Sequence, residues 1–119
     1  MDALSKAKIL RIYLSSTDKF KHLPLYEVIV FAARRYNIKG CTVLRGIMGY
    51  GISSKISSLK FWEFTEKIPV VIEIVDEASK IEDFVARTKP YYEKIKYGCL
   101  ITLEEVTILL HKEGKQTKK

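Results

Sequence analysis

Three closely spaced glycines open the stretch of this chain whose residue types most favour ligand chemistry. Gly46, Gly49 and Gly51 follow a β-like segment and precede residues 52–60, which hold four serines and two lysines. Glycine admits positive φ and lets a ligand or a second backbone come close. The pattern predicts either a bound ligand at this turn or a hairpin rim with a mobile loop, and spacing alone does not choose between them.

A single carboxylate within an apolar strand is the second candidate for chemistry. Glu73 stands inside the run PVVIEIV at residues 69–75. We expect Arg11, Tyr13 and Arg45 to share its face of the sheet. Because an unpaired buried charge is costly, Glu73 needs a partner. Two interpretations remain open: an internal ion pair with Arg11 or Arg45, and a contact to a ligand or to a neighbouring subunit.

The other reactive side chains form no catalytic or metal-binding motif. His22 and His111 are far apart in sequence, and Cys41 and Cys99 lack the close spacing of a zinc or redox motif. No nucleophile elbow, zinc-protease motif or Walker A loop occurs, and the glycine order GxxGxG reverses the dinucleotide fingerprint. We therefore expect no enzyme activity, no metal site, and two cysteines that are buried and reduced.

Composition predicts one cytoplasmic domain, residues 1–111, with a basic tail, residues 112–119. No apolar run reaches the roughly 18 residues that a membrane span needs, and the N-terminus lacks a secretory leader. The net charge is +7, but four lysines and one glutamate in the tail supply +3 of it. Lysines outnumber arginines 16 to 5, whereas phosphate and base recognition favours arginine. We therefore expect no nucleic-acid partner.

The elements that must position these groups follow a βαββαβ order. Strands are expected at residues 8–14, 41–48, 61–64 with 69–75, 100–103 and 106–110. This order predicts an α+β ferredoxin-like fold with an antiparallel sheet and an extra C-terminal strand.

Two amphipathic segments predict the helices. The first opens at Pro24 and runs to Gly40. Its apolar residues form a wide stripe, so the helix is expected to be covered on more than one side. The stripe comprises Leu25, Val28, Ile29, Val30, Phe31, Ala32 and Tyr36. The second opens on a capping box of Ser79 and Glu82, and Pro90 is expected to kink it or end it early.

Both helices of such a fold cover the same face of the sheet. If Val70, Ile72 and Ile74 face the helices, then Val71 and Val75 point to the other side with Glu73. Two valines on an otherwise open face predict that another subunit buries it.

Three ordered stretches resemble the PII-like signalling proteins of domain-of-unknown-function family 190. They are LPLYEVIV, GCTVLRGIMGYGISS and IPVVIEIVD, and the resemblance covers residues 8–110. It implies a homotrimer that binds an adenine nucleotide between neighbouring subunits and presents a flexible loop to a target protein. Some relatives are encoded beside ion channels or transporters, which implies such a membrane protein as the target.

The resemblance also implies the residues that hold the nucleotide. Thr42 matches a threonine near the adenine, and Gly49, Tyr50 and Gly51 match a turn that borders the phosphates. Glu73 matches a glutamate near the nucleotide across the subunit interface. The full expected set is Thr42, Arg45, Gly49, Tyr50, Gly51, Lys55, Glu73, Gly98, Cys99 and Leu100.

Several phosphate-binding cations of the PII pattern are missing from this chain. Ile52 and Pro69 stand at two of these positions, the glycine-rich loop shrinks to KYGCL, and VTILLHK lacks an arginine pair. A triphosphate carries about four charges that need donors or magnesium. The sequence therefore favours AMP or ADP over ATP, with no other cofactor required.

These expectations define a sensor whose loop, Ile52 to Lys60, becomes ordered when the nucleotide binds. Two other hypotheses stay open. One is an oligomeric interaction protein without a physiological nucleotide, and the other is a small acid–base enzyme that uses Glu73 or His22.

Overall fold

The computed structural model describes residues 5–52, 57–58, 68–95 and 98–115. The main strands are β1 (Ser5–Ser15), β2 (Cys41–Arg45), β3 (Pro69–Glu77) and β4 (Leu100–Ile108), and the helices are α1 (Leu25–Arg35) and α2 (Ala78–Glu93). Two short ribbons pair Lys19–Phe20 with Leu23–Pro24, and Met48–Gly49 with Ser57–Ser58. No helix in the described ranges is long and apolar enough to span a membrane.

The four main strands form one antiparallel sheet in the order β2-β3-β1-β4. The predicted ferredoxin-like arrangement is therefore confirmed, with β2 and β4 at the two edges. The predicted extra strand is not separate, because β4 covers the first of the two expected segments and continues into the second as far as Ile108. Glu104 and Glu105, which interrupt the apolar pattern, pair with Ile9 and Lys8 and so continue the β1–β4 ladder. Strand residues predicted at 61–64 lie outside the described part of the chain.

Both helices lie on one face of the sheet, where alternate strand residues meet them. The core contains Leu10, Ile12, Leu14, Leu25, Ile29, Ala32, Ala33, Val70, Ile72, Ile74, Ile81 and Phe84. This packing confirms that the helix-facing residues of β3 are Val70, Ile72 and Ile74.

Helix α1 is one-sided, contrary to the expected coverage on several sides. Phe31 is 66% exposed, so the apolar residues beside the stripe do not all meet a second layer. The helix ends at Arg35, well before Gly40, because Asn37 adopts a left-handed conformation with φ of 62°.

Helix α2 begins and ends differently from the sequence prediction. Ser79 and Glu82 lie inside it and form no capping box, since Glu77 is the N-cap residue. The backbone N–H of Glu77 donates instead to Asp76 Oδ1 at 2.7 Å. Pro90 does not end the helix, which continues to Glu93.

Candidate functional site

The sheet face away from the helices carries apolar side chains that the chain itself leaves exposed. Strand register aligns Leu44, Val71, Tyr13 and Leu100 in one row across all four strands. Tyr13 is 39% exposed, Leu44 50% and Leu100 56%. We call this surface the open face, and its composition agrees with the expectation that Val71 and Val75 point away from the helices.

Glu73 lies in the next row of the open face and forms an ion pair within the chain. Arg11 Nε donates to Glu73 Oε2 at 3.0 Å, and Arg11 Nη1 donates to Glu104 Oε1 at 2.9 Å. The hydrogen bond to Glu104, followed in size by the one to Glu73, raises the pKa of the Arg11 guanidinium. The internal-partner interpretation of Glu73 is thus correct for Arg11. With about a third of each side chain exposed, the pair remains accessible to a ligand.

Arg45 does not share the face of Glu73, so that prediction is wrong. It pairs with Val70, whose side chain is buried beneath the helices, whereas Thr42 pairs with Glu73. Directly opposed residues of an antiparallel pair point to the same face. The register of β2 therefore places Thr42 and Leu44 on the open face and turns Arg45 to the other side.

A cleft of about 310 Å³ brings Thr42 and Glu73 together. Gly40, which precedes β2, lines it together with Cys41 and Thr42 of β2 and Glu73 and Val75 of β3. The C-terminal part of the chain adds Ile108, Leu110 and His111. A hydroxyl, a carboxylate and an imidazole thus share a cleft with apolar walls. This volume is at the lower end of the range for small-molecule sites, and the mixture of a few polar groups with apolar walls is typical of them.

The backbone that enters the cleft is held by a buried carboxylate. Asp76 is fully buried at the end of β3, and its Oδ2 accepts the backbone N–H of Lys39 at 3.0 Å. Lys80 Nζ, which lies 3.8 Å from the same oxygen, donates to the backbone carbonyl of Asn37 at 2.6 Å. These contacts fix the turn between α1 and β2 against the start of α2. They therefore position Gly40 and the residues that follow it.

The glycine turn lies at the other end of β2. No glycine in the described ranges has a positive φ, so that conformation does not account for the glycines there. Close backbone approach explains two of the glycines instead: a Cβ atom at Gly46 or Gly49 would lie 3.2 or 3.3 Å from the Pro69 ring. The Gly46 N–H also donates to the Pro69 carbonyl at 2.8 Å. Tyr50 and Gly51, which follow these residues in the chain, are exposed.

The remaining expected residues lie away from the cleft. Gly98 and Cys99 precede β4 and Leu100 begins it, and all three are exposed. Since β3 and β1 separate β2 from β4, neighbouring-strand spacing puts the two edges about 14 Å apart. One chain therefore does not bring these residues to Thr42. Lys55 lies outside the described residues, as does most of the expected signalling loop.

The two cysteines are free and lie toward opposite edges of the sheet. Cys41 is half-buried, and its burial raises the pKa of its thiol. Cys99 is exposed, which corrects the expectation that both are buried. Within the part of the chain that the structure describes, no three His, Cys, Asp or Glu side chains are grouped to hold a metal ion.

Sequence reasoning did not place His111 in the site. It stood at the predicted end of the domain, without a motif around it. The residues after the last strand follow no periodic apolar pattern, so the local sequence carried no signal that His111 lines the cleft.

Comparisons with known proteins identify the family. The DUF190 family model, described as "Uncharacterized ACR", matches residues 7–108. A UPF0166 protein of Aquifex aeolicus is 36% identical over 104 residues, covering 87% of this chain and 94% of that protein. A UPF0166 protein of Methanocaldococcus jannaschii is 39% identical over 101 residues, covering 84% and 89%.

Solved structures with low sequence identity share the fold. CPII, a nitrogen regulatory PII-like protein from Thiomonas intermedia solved with ADP, AMP and bicarbonate, aligns with a TM-score of 0.67 at 14% identity, covering 88% of this chain and 90% of CPII. A PII-like signaling protein from Thermus thermophilus aligns with a TM-score of 0.65 at 17% identity, covering 91% and 94%. The match over residues 7–108 and the UPF0166 relatives show that the chain belongs to the DUF190 family, with a PII-like fold.

Proposed function

We propose that this protein is a cytoplasmic PII-like signalling protein, a homotrimer that binds AMP or ADP in clefts between neighbouring subunits. One observation carries the proposal: the expected binding residues divide between opposite edges of a single sheet. Thr42, Glu73 and the glycine turn belong to the β2 side, whereas Gly98 to Leu100 belong to the β4 edge. They converge when the β2 side of one subunit meets the β4 edge of the next.

Such a contact is heterologous, because two different surfaces meet. Heterologous contacts close into rings when the rotation between subunits allows it, and three subunits give one cleft at each of three interfaces. The exposed apolar residues of the open face supply surface that the ring would bury. Leu44 near the β2 edge and Leu100 on the β4 edge are each at least half exposed in one chain.

The ligand assignment rests on the cleft and on the fold relatives. CPII was solved with ADP and AMP, and its PII-like fold is shared by this chain. In our proposal Thr42 and the neighbouring subunit's backbone at 98–101 contact the base, and Glu73 contacts the ribose. The phosphate lies at the turn from Gly49 to Gly51, with Lys55 as its proposed cation, because Arg45 points to the helix side of the sheet. The scarcity of cations favours AMP or ADP over ATP.

The proposal assigns no catalytic step. Nucleotide binding orders the loop from Ile52 to Lys60 and changes the surface that a target protein meets. The proposed target is a membrane channel or transporter.

Light scattering and calorimetry test this function. The expected mass is about three times 13.7 kDa, with AMP or ADP binding at least as tightly as ATP in magnesium-free buffer. A monomer at micromolar concentration would contradict the shared clefts. Tenfold tighter binding of ATP, about 1.4 kcal/mol, would contradict the charge argument. A trimer that binds no adenine nucleotide would favour the interaction-protein hypothesis.

A further inference from the structure

Two of the residues that follow β4 help to line the cleft. We call Leu109–His111 the strap. Strand β4 ends at Ile108, and β1 lies between β4 and β3 in the sheet. Leu110 and His111 nevertheless line the same cleft as Glu73 of β3 and Thr42 of β2. The strap therefore borders this cleft together with two strands that are not its neighbours in the sheet.

The strap presents side chains suited to an amphiphilic ligand. Leu110 is 75% exposed although it lines a cleft, so its apolar surface is available to a bound group. His111 is also exposed, and an imidazole can donate or accept a hydrogen bond. His111, the Thr42 hydroxyl and the Glu73 carboxylate together give the cleft both donors and acceptors of hydrogen bonds. A planar heterocycle joined to a sugar matches this combination of apolar and polar walls.

The strap and the glycine turn lie toward opposite ends of β2. The cleft includes Gly40, Cys41 and Thr42, at the start of the strand, whereas the glycine turn follows Arg45 at its end. Four residue steps from Cys41 to Arg45 span about 13 Å. A ligand whose phosphate lies at the turn would therefore direct its nucleoside part toward the strap.

We propose that the strap is a binding element for the nucleoside part of the ligand. Leu110 covers an apolar face of the base, and His111 forms a hydrogen bond with a polar atom of the base or ribose. The assignment rests on the proposed nucleotide function, and it adds a contact from the same chain as Thr42 and Glu73. Because this contact does not involve the phosphate, it acts equally on a nucleoside and on its monophosphate.

The experiment is calorimetric titration of the full chain with AMP and with adenosine. His111→Ala is compared with Lys112→Ala, which removes the next exposed side chain outside the cleft. Loss of one hydrogen bond should weaken both ligands by about three- to tenfold in His111→Ala. Lys112→Ala should change either affinity by less than about twofold. Leu110→Ala should also weaken both ligands, because apolar contact area with the base is removed.

The outcomes separate the strap from the proposed function itself. Wild-type protein that binds neither ligand would overturn the nucleotide function. Normal binding of both ligands by wild type, His111→Ala and Leu110→Ala would overturn the strap assignment alone. A loss confined to AMP in His111→Ala would also overturn it, because the contact would then be to phosphate. Circular dichroism checks that each variant keeps its fold.

Discussion

The two faces of this sheet are built by the same strands but differ in what they still have to bury. On the helix side, Ile72 and Ile74 are completely buried. On the open face, Leu44 and Leu100 remain half exposed, and Arg11 links Glu73 to Glu104. The helix-side face is therefore buried by residues of the same chain. The second combines apolar surface with accessible charge, which is the pattern expected of an interface that also binds a ligand.

The largest expected difference between the faces is in assembly. Leu44→Glu places a charge on the open face, where our proposed interface would bury it without a partner, at a cost of about 3–5 kcal/mol at each contact. We expect the trimer to dissociate into subunits that keep their secondary structure. Phe31→Glu, on the exposed side of α1, is the matched control and should leave the trimer intact. Light scattering measures the mass of both variants in solution. A Leu44→Glu variant that remains a trimer would contradict the proposed interface.

A smaller difference is expected in the stability of the subunit. Ile72→Ala removes completely buried methylene and methyl groups and should lower the free energy of unfolding by about 2–5 kcal/mol. Val71→Ala, the next residue along β3, lies half-buried on the open face and should cost about 1 kcal/mol. Urea denaturation measures both changes in the Leu44→Glu background, where the open face stays exposed and assembly adds nothing to stability. Equal losses would show that the two faces do not differ in packing.

The smallest difference concerns two arginines that form ion pairs with carboxylates. Arg11→Met breaks the open-face pairs to Glu73 and Glu104, and Arg87→Met breaks the pair to Asp83 within α2, whose Nε–Oδ2 distance is 2.8 Å. Exposed pairs contribute little, so each change should cost at most about 1 kcal/mol of stability.

Ligand affinity should separate these two variants where stability does not. Without Arg11 the Glu73 carboxylate is no longer held in place, so AMP binding should weaken in Arg11→Met alone. Calorimetry measures this, and equal affinities in the two variants would remove Glu73 from the site.

Most of the fold could be predicted because it follows from local alternation and helical spacing. The run PVVIEIV separates Ile72 from Glu73 whatever its neighbours are, since adjacent strand residues point to opposite faces. The continuity of β4 could not be predicted in the same way. Glu104 and Glu105 break the apolar pattern locally, and only pairing with β1 shows that the strand continues through them.

The candidate site was less predictable because it depends on register and on the segment that follows β4. Arg45 was assigned to the wrong face, since a change of one residue in register moves a side chain to the other side of the sheet. The partner of Glu73 was among the predicted alternatives because Arg11 also follows strand alternation. His111 lies in the segment after β4, which has no repeating apolar pattern, so its place in the cleft became visible only in three dimensions.

Subunit mixing tests the central claim, that each nucleotide site combines the β2 side of one subunit with the β4 edge of the next. Thr42→Arg would block the first half of the site and Cys99→Arg the second. Each variant alone should form trimers that bind no AMP. When both are coexpressed, some interfaces pair an intact β2 side with an intact β4 edge, and AMP binding to the mixed trimers should return. Mixed trimers that still bind no AMP, or AMP binding by either variant alone, would contradict the shared site.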